Sequence, residues 1–153
     1  MSHQIHPAGL DDLGLEAALR DECTSLSRHR GIPVKFKAED VPRHHPGDIT
    51  LCLFRVPQES LRNIGKYAGA KEVRVRLACG KGVLDLLIED VGVGFDIGQA
   101  REKGGLGLIS MEERVLLVNG AFKIRSEPGV GTTVEVHVSL PEEARETLES
   151  VAG

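Results

Sequence analysis

Three polar side chains, Glu59, Asn63 and Lys66, recur at three- and four-residue spacing within Gln58 to Ala70, QESLRNIGKYAGA. At about 100° per residue of a helix they fall within roughly 60° of one another, while Leu53, Leu61, Ile64 and Ala68 take the neighbouring face. A carboxylate, an amide and an ammonium on one stripe suit a metal-bound polyphosphate. The amide oxygen can ligate a hard Mg2+, the ammonium can pair with phosphate oxygens, and the carboxylate can orient water or accept a proton. The same stripe also fits a solvated helix face held by a Glu59 to Asn63 contact.

A second candidate lies in IEDVGVGF at 88 to 95, where Asp90 stands as a strand gives way to a loop and Gly92 and Gly94 leave the backbone open to close approach. Ionised, Asp90 is acceptor-only and can bind the exocyclic amine of adenine, whereas guanine would turn a carbonyl oxygen toward it. An ordinary glycine turn with a solvated Asp fits the same residues. Gly104, Gly105, Leu106, Gly107 and Leu108 come just before a predicted helix, so free N–H groups and the positive end of its dipole would face an anion placed there. This is neither a P-loop, which ends in GK[ST], nor the dinucleotide fingerprint, which follows the first strand. Asp96 to Lys103, between the glycine clusters, reads as a mobile polar lid, with Arg101 and Lys103 either touching phosphate or lying on the surface. Thr132, after Gly129 and Gly131, can complete an adenine network with Asp90 through water, or serve simply as a good strand residue.

Holding these groups together takes a particular set of elements. Leu15, Ala18, Leu19, Cys23 and Leu26 predict an amphipathic helix over Leu13 to Arg30, favoured at its start by Asp11 and Asp12 and stopped by Gly31 and Pro33. Val34 to Ala38 alternates as a strand does, and Pro42 to Gly47, with His44 and His45, reads as a loop. A second helix follows from about Asp48 to Tyr67, in which Pro57 predicts a kink or local unwinding one turn before Glu59. Val73 to Leu77 and Val83 to Glu89 form a hairpin about Gly80 and Gly82. Leu108 to Val118 is helical up to a left-handed cap at Asn119 and Gly120, and Ala121 to Ser126 pairs with Thr132 to Leu140. Two hairpins exclude a wholly parallel doubly wound sheet. The fold class expected is α+β, a two-layer α/β sandwich with a mixed, mostly antiparallel sheet covered by helices on one face.

Composition narrows the classes of function. A net charge of −4 and 3% aromatics speak against a nucleic-acid partner, which needs clustered cations and stacking platforms. No run of about 18 apolar residues and no signal-like start occur, so a cytoplasmic chain without direct membrane contact is expected, within a parent protein that is either cytoplasmic or membrane-anchored. Cys23, Cys52 and Cys79 lie outside any CxxC pair and suggest neither a disulfide framework nor a zinc site.

Together, QESLRNIGKYAGA at 58 to 70, IEDVGVGF at 88 to 95, GGLGL at 104 to 108 and PGVGTTVEV at 128 to 136 resemble the N box and the three glycine boxes of the GHKL ATPases, whose ATP sites share the Bergerat sandwich. HPAGLDDLGLEAAL at 6 to 19 and GLGLISMEERVLLVNG at 105 to 120 look like the sensor histidine kinases related to nitrate sensors and desaturase-regulating thermosensors. The resemblance implies ATP and Mg2+ as cofactors. Asn63 would hold Mg2+, Glu59 would assist the metal or water, Lys66 would meet phosphate and Tyr67 would lie beside the nucleotide. Asp90 would select adenine, Gly92 and Gly94 would shape its pocket, Gly105, Leu106, Gly107 and Leu108 would line the triphosphate, and Thr132 would support the base. Val91 stands where the family has Asn or Asp, and Pro57 and Gly65 are further departures.

The same resemblance implies a division into residues 1–10 as the remnant of a dimerisation-helix region, 11–141 as the ATP-binding domain, and 142–153 as an acidic tail. The phosphoacceptor histidine would lie on a dimerisation domain outside this chain, and a response regulator receiver domain would take the phosphoryl group next. His3 and His6 do not match the acceptor, and His44 and His45 read as loop residues rather than metal ligands. A non-catalytic nucleotide-binding regulatory module and an anti-sigma-type serine kinase are the alternatives on the same fold.

Overall fold

The computed structural model describes residues 8–43, 45–103 and 107–141. Residues 1–7 and 142–153, together with His44, Gly104, Gly105 and Leu106, therefore lie outside the described residues, as do the expectations attached to them.

The first helix, α1 (Ala8–Arg30), begins earlier than its apolar periodicity predicts but is broken at Gly14, where φ is 86° and ψ is 169°. Only glycine adopts such a backbone without strain, so the regular, packed stretch starts at Leu15. Its stripe of Leu15, Ala18, Leu19 and Cys23 is buried as expected. Strand β1 (Val34–Glu39) leads to α2 (Gly47–Asn63), at whose start the His45 ring bonds the Thr50 hydroxyl.

Pro57 is buried inside an unbroken α2. It removes the hydrogen bond to the Leu53 carbonyl, but the packed apolar face of Leu51, Leu53, Phe54, Val56 and Leu61 holds the helix through it, and the unwinding expected before Glu59 does not occur. The ladder changes instead at Ile64, where a π-helical turn, Ile64–Ala68, ends at Gly69 with φ 53°.

Strands β2 (Glu72–Gly80) and β3 (Val83–Val91) form the first hairpin across Lys81 and Gly82, both at positive φ, as a primed turn requires. The stretch expected to be a mobile lid contains a short helix, α3 (Ile97–Lys103). Asp96 caps it by accepting the Gln99 N–H at 2.9 Å, and Arg101 ties it to the next helix through Glu112 at 2.6 Å. Helix α4 (Leu108–Leu116) is two residues shorter than predicted and turns out through Asn119 at φ 56°, the left-handed exit expected there. Strands β4 (Ala121–Glu127) and β5 (Gly131–Ser139) close the fold.

The sheet order is β1-β2-β3-β5-β4, with β1 parallel to β2 and the other pairs antiparallel. The parallel pair needs a long crossover, and α2 supplies it. Val73, Val75, Leu77, Leu84, Leu86, Ile88, Val134, Val136 and Val138 turn one face into the core shared with α1, α2 and α4. The other face carries exposed charge, including Lys37 to Glu39 at 3.0 Å, Arg76 to Glu39 at 3.2 Å and Arg125 to Glu135 at 3.8 Å. Such pairs add little stability but suit a wet face, so the expected sandwich with helices on one side is the fold observed.

Leu53 has no exposed surface and Leu117 is 79% exposed. Leu53→Ala should therefore lower the unfolding free energy in urea by about 2–5 kcal/mol, and Leu117→Ala should change it by less than about 0.5 kcal/mol.

Candidate functional site

Between α2, α4 and one end of β3, β4 and β5 lies a hollow of about 540 Å³, counting its open mouth. Its polar lining is Ser60, Asn63, Asp90 and Thr132, set among Ile64, Ile88, Phe95, Leu108, Met111, Ile124 and Val134, with Gly94 at the rim. The alternation of β3 and the antiparallel register place Asp90 opposite Thr132 in the neighbouring strand.

Asp90 is only 6% exposed, and its Oδ1 has no hydrogen-bond partner among the described residues. Desolvation pushes its pKa up to about 6, against the opposing effect of the Thr132 backbone N–H. A buried, unsatisfied acceptor is costly unless a ligand supplies the donor. The hollow thus offers one unpaired acceptor among apolar walls, which suits a flat ring bearing an amine.

The loop after Asp90 is strapped to the β4–β5 turn. Gly129 N–H donates to Val93 O at 2.7 Å, Gly92 N–H to Val130 O at 3.3 Å, and Phe95 N–H to Ser126 Oγ at 2.9 Å. Gly94, at φ 65°, lies so close to this turn that a Cβ would stand 2.1 Å from Glu127 O. Contact between two loops is thus sufficient reason for this glycine. Ser126 also shares a hydrogen bond with the Thr132 hydroxyl at 2.7 Å.

Of the residues singled out by type and spacing, Asn63, Asp90, Gly94, Leu108 and Thr132 come together at the hollow. Glu59 is one step away: a Cβ on Gly107, the residue at the N-cap of α4, would meet Glu59 Oε1 at 2.6 Å. The Glu59 carboxylate therefore rests against the positive end of α4, with Arg62 at 3.9 Å. Gly107 itself has φ 63°. Lys66 lies elsewhere, lining a groove with Leu26, His29 and Arg30 of α1. The π-helical turn from Ile64 rotates less per residue than an α-helix, so Lys66 falls off the Glu59–Asn63 stripe that uniform helical geometry predicts. Gly92 serves the strap, while Gly105, Leu106 and the Tyr67 side chain lie outside what is described. Arg101 is engaged by Glu112 rather than directed at the hollow.

Ser60, Met111 and Ser126 escaped the sequence reading. Ser60 donates to Met111 Sδ at 3.5 Å across the helix pair, and only the packing of α2 on α4 brings the two together. Ser126 had a signal, since it stands six residues before Thr132 across a predicted hairpin. Cys23 and Cys52 are buried thiols pushed up to about 12 and about 11 by desolvation, and they are inert.

Asp90 titrates higher in the folded chain than the ordinary value of 3.8, so its ionisation opposes folding: the cost is absent below that value and complete above about 6. Asp90→Asn should accordingly stabilise the ligand-free protein at pH 8 by on the order of 2 kcal/mol, with the gain fading as pH falls toward about 4 in thermal unfolding scans.

Comparison with known proteins agrees with this geometry. Residues 49–143 match the family model described as histidine kinase-, DNA gyrase B-, and HSP90-like ATPase. The chain is 35% identical over 141 residues to the signal transduction histidine-protein kinase/phosphatase DegS of Brevibacillus brevis, covering 92% of this chain and 36% of that protein. It is 36% identical over 140 residues to the oxygen sensor histidine kinase NreB of Staphylococcus carnosus (strain TM300), covering 92% of this chain and 40% of that one. The chain thus spans well under half the length of the curated relatives it matches. Among solved structures, the histidine kinase domain of the blue-light activated kinase from Erythrobacter litoralis EL346 shares the fold at TM-score 0.70 and 20% identity, over 88% of this chain and 64% of that one. The mycobacterial sensor histidine kinase MprB shares it at 0.63 and 23%, over 81% and 93% respectively. With most of its length matched by the family model and its sheet and helices arranged as in those structures, this chain belongs to the histidine kinase-, DNA gyrase B- and HSP90-like ATPase family.

Proposed function

We propose that the hollow receives the adenine of ATP and that the chain is the ATP-binding catalytic part of a sensor histidine kinase. The observation that carries the reading is the buried Asp90 Oδ1, without a hydrogen-bond partner among the described residues, in a mostly apolar cavity. Ionised, it accepts the exocyclic amine of adenine; Gly92 and Gly94 shape the pocket, and Thr132, oriented by Ser126, supports the base through water. Leu108 and the glycine run ending at Gly107 line the phosphates at the start of α4, with Gly105 and Leu106 in the same role and Tyr67 beside the nucleotide.

Among the described residues no three His, Cys, Asp or Glu side chains form a metal cage. Mg2+ keeps water and phosphate oxygens as most of its ligands and takes one or two from the protein, and the Asn63 amide lining the hollow with the Glu59 carboxylate at the start of α4 offers such a set. Asn63 Oδ1 would hold it, and Glu59 would act through water. When bound, the ion neutralises charge that develops on the phosphate oxygens. Lys66 meets phosphate if the turn at Ile64 tightens from π to α geometry, which returns it to the Asn63 stripe.

The proposed acceptor is a histidine on a dimerisation domain. Its unprotonated ring nitrogen forms a bond to the γ-phosphorus as the bond from that phosphorus to the β-phosphate bridging oxygen breaks. ADP leaves, and the other ring nitrogen gives its proton to water. A receiver domain of a response regulator then takes the phosphoryl group on an aspartate. Both relatives are named as histidine kinases, which supports this reaction.

Asp90→Ala should keep the fold and lose roughly 2–4 kcal/mol of ATP affinity by calorimetry, because the amine then has no partner in a closed site. Unchanged binding of ATP would remove Asp90 from the site. Incubated with labelled ATP, Mg2+ and a histidine-bearing dimerisation fragment, the chain should label the fragment at histidine. Binding without any transfer would favour the regulatory-module reading.

A further inference from the structure

On the far side of Met111 from the hollow, a polar groove runs between α2 and α4, lined by Arg55, Arg62 and Arg114 with Gln58, Glu59 and Ser110. Among the described residues that line it, three guanidinium groups stand with one carboxylate, and a second, Glu22, accepts from the Gln58 side chain at 3.2 Å, in a chain whose net charge is −4. Arg55 donates to the Gln58 side chain at 2.7 Å, and Arg62 stands 3.9 Å from Glu59. The excess positive charge is set on two helices that pack against each other, so it is a fixed surface feature and a place for an anionic segment.

We propose that the acidic segment after Pro141 docks in this arginine groove. The segment carries Glu142, Glu143, Glu146 and Glu149 against a single Arg145, so its charge complements the groove. Its starting point is also close. Gly120 packs between Val115 and β5 so tightly that a Cβ would stand 2.9 Å from the Val115 side chain and 3.0 Å from the His137 carbonyl. Arg114 is the neighbour of Val115, and Pro141 follows His137 by four residues, at most roughly 14 Å of extended chain. The dozen residues from Glu142 to Gly153 reach roughly 40 Å, ample to cross the groove.

Each exposed carboxylate–guanidinium contact is weak and screened by salt. The tether compensates by making the encounter intramolecular, at an effective concentration in the millimolar range. Met111 lines both the groove and the hollow. The docking itself is independent of whether ATP binds, and the test below contains no nucleotide.

A spin label on Gly153→Cys in the full chain reads the contact, because the three native cysteines are buried. In low salt the amide signals of Ser110 and Arg114 should lose more than about half their intensity, and they should recover in about 1 M salt, where screening extends over only a few ångströms. Neutralising the segment (Glu142→Gln, Glu143→Gln, Glu146→Gln and Glu149→Gln) should abolish the broadening without touching any described side chain. A charge swap, Arg55→Glu with Arg114→Glu against lysine at the same four positions, should restore it. Full intensity at low salt overturns the proposal, as does broadening that survives neutralisation. Broadening that passes from a spin-labelled molecule to a separate isotope-labelled one also overturns it, since the occupant would then be a second copy.

Discussion

A carboxylate held out of water, with one oxygen unanswered among the described residues, is the constraint around which this fold is organised. Asp90 ends the buried face of β3, where every second residue before it, Leu84, Leu86 and Ile88, is aliphatic. The same alternation that places those side chains in the core carries Asp90 to the edge of it. The chain accepts the cost of an ionisable group at that point, and the surroundings relieve little of it: the walls are mostly apolar, and the Thr132 backbone offsets only part of the desolvation.

Keeping such a site open requires the walls to be fixed from outside. The parallel β1–β2 pair commits α2 to a crossover over the sheet, which delivers Ser60 and Asn63 to one side of the hollow. The β4–β5 turn fixes the opposite side through Ser126, Gly129 and the close approach of Gly94 to Glu127. Helix α4 closes the third side with Leu108 and Met111 and presents its N-terminal end to Glu59. Each wall comes from a different part of the chain, so the hollow is a product of the tertiary structure.

Much of this was legible before any coordinates. Period-two alternation in Val73–Leu77, Val83–Glu89 and Thr132–Leu140 located the sheet, and helical spacing of Leu15, Ala18, Leu19 and Cys23 located α1, because side-chain periodicity follows directly from backbone geometry. Asp90, Asn63 and Thr132, singled out by their chemistry, share one hollow. Lys66 was misplaced because a single angle per residue was carried through a turn that changes from α to π. Pro57 predicts a kink or local unwinding, yet α2 runs through it, because burial of the helix face outweighs the lost hydrogen bond, a balance that local propensity does not contain. The stretch before the glycine run looked mobile from its polarity; Asp96 as a cap and Arg101 with Glu112 make it the helix α3. Neither Pro57 nor Val91 lines the hollow, and Val91 is 53% exposed, so these two departures from the family pattern lie away from it.

The central claim concerns one proton on one side chain, and carboxyl carbon NMR of Asp90 tests it most directly. In the free protein the Asp90 signal should titrate near pH 6, and saturation with ATP should move that midpoint downward by more than one pH unit, since an amine donor favours the ionised form. GTP at the same concentration should leave it in place. An Asp90 midpoint that stays unmoved while ATP demonstrably binds would contradict the account.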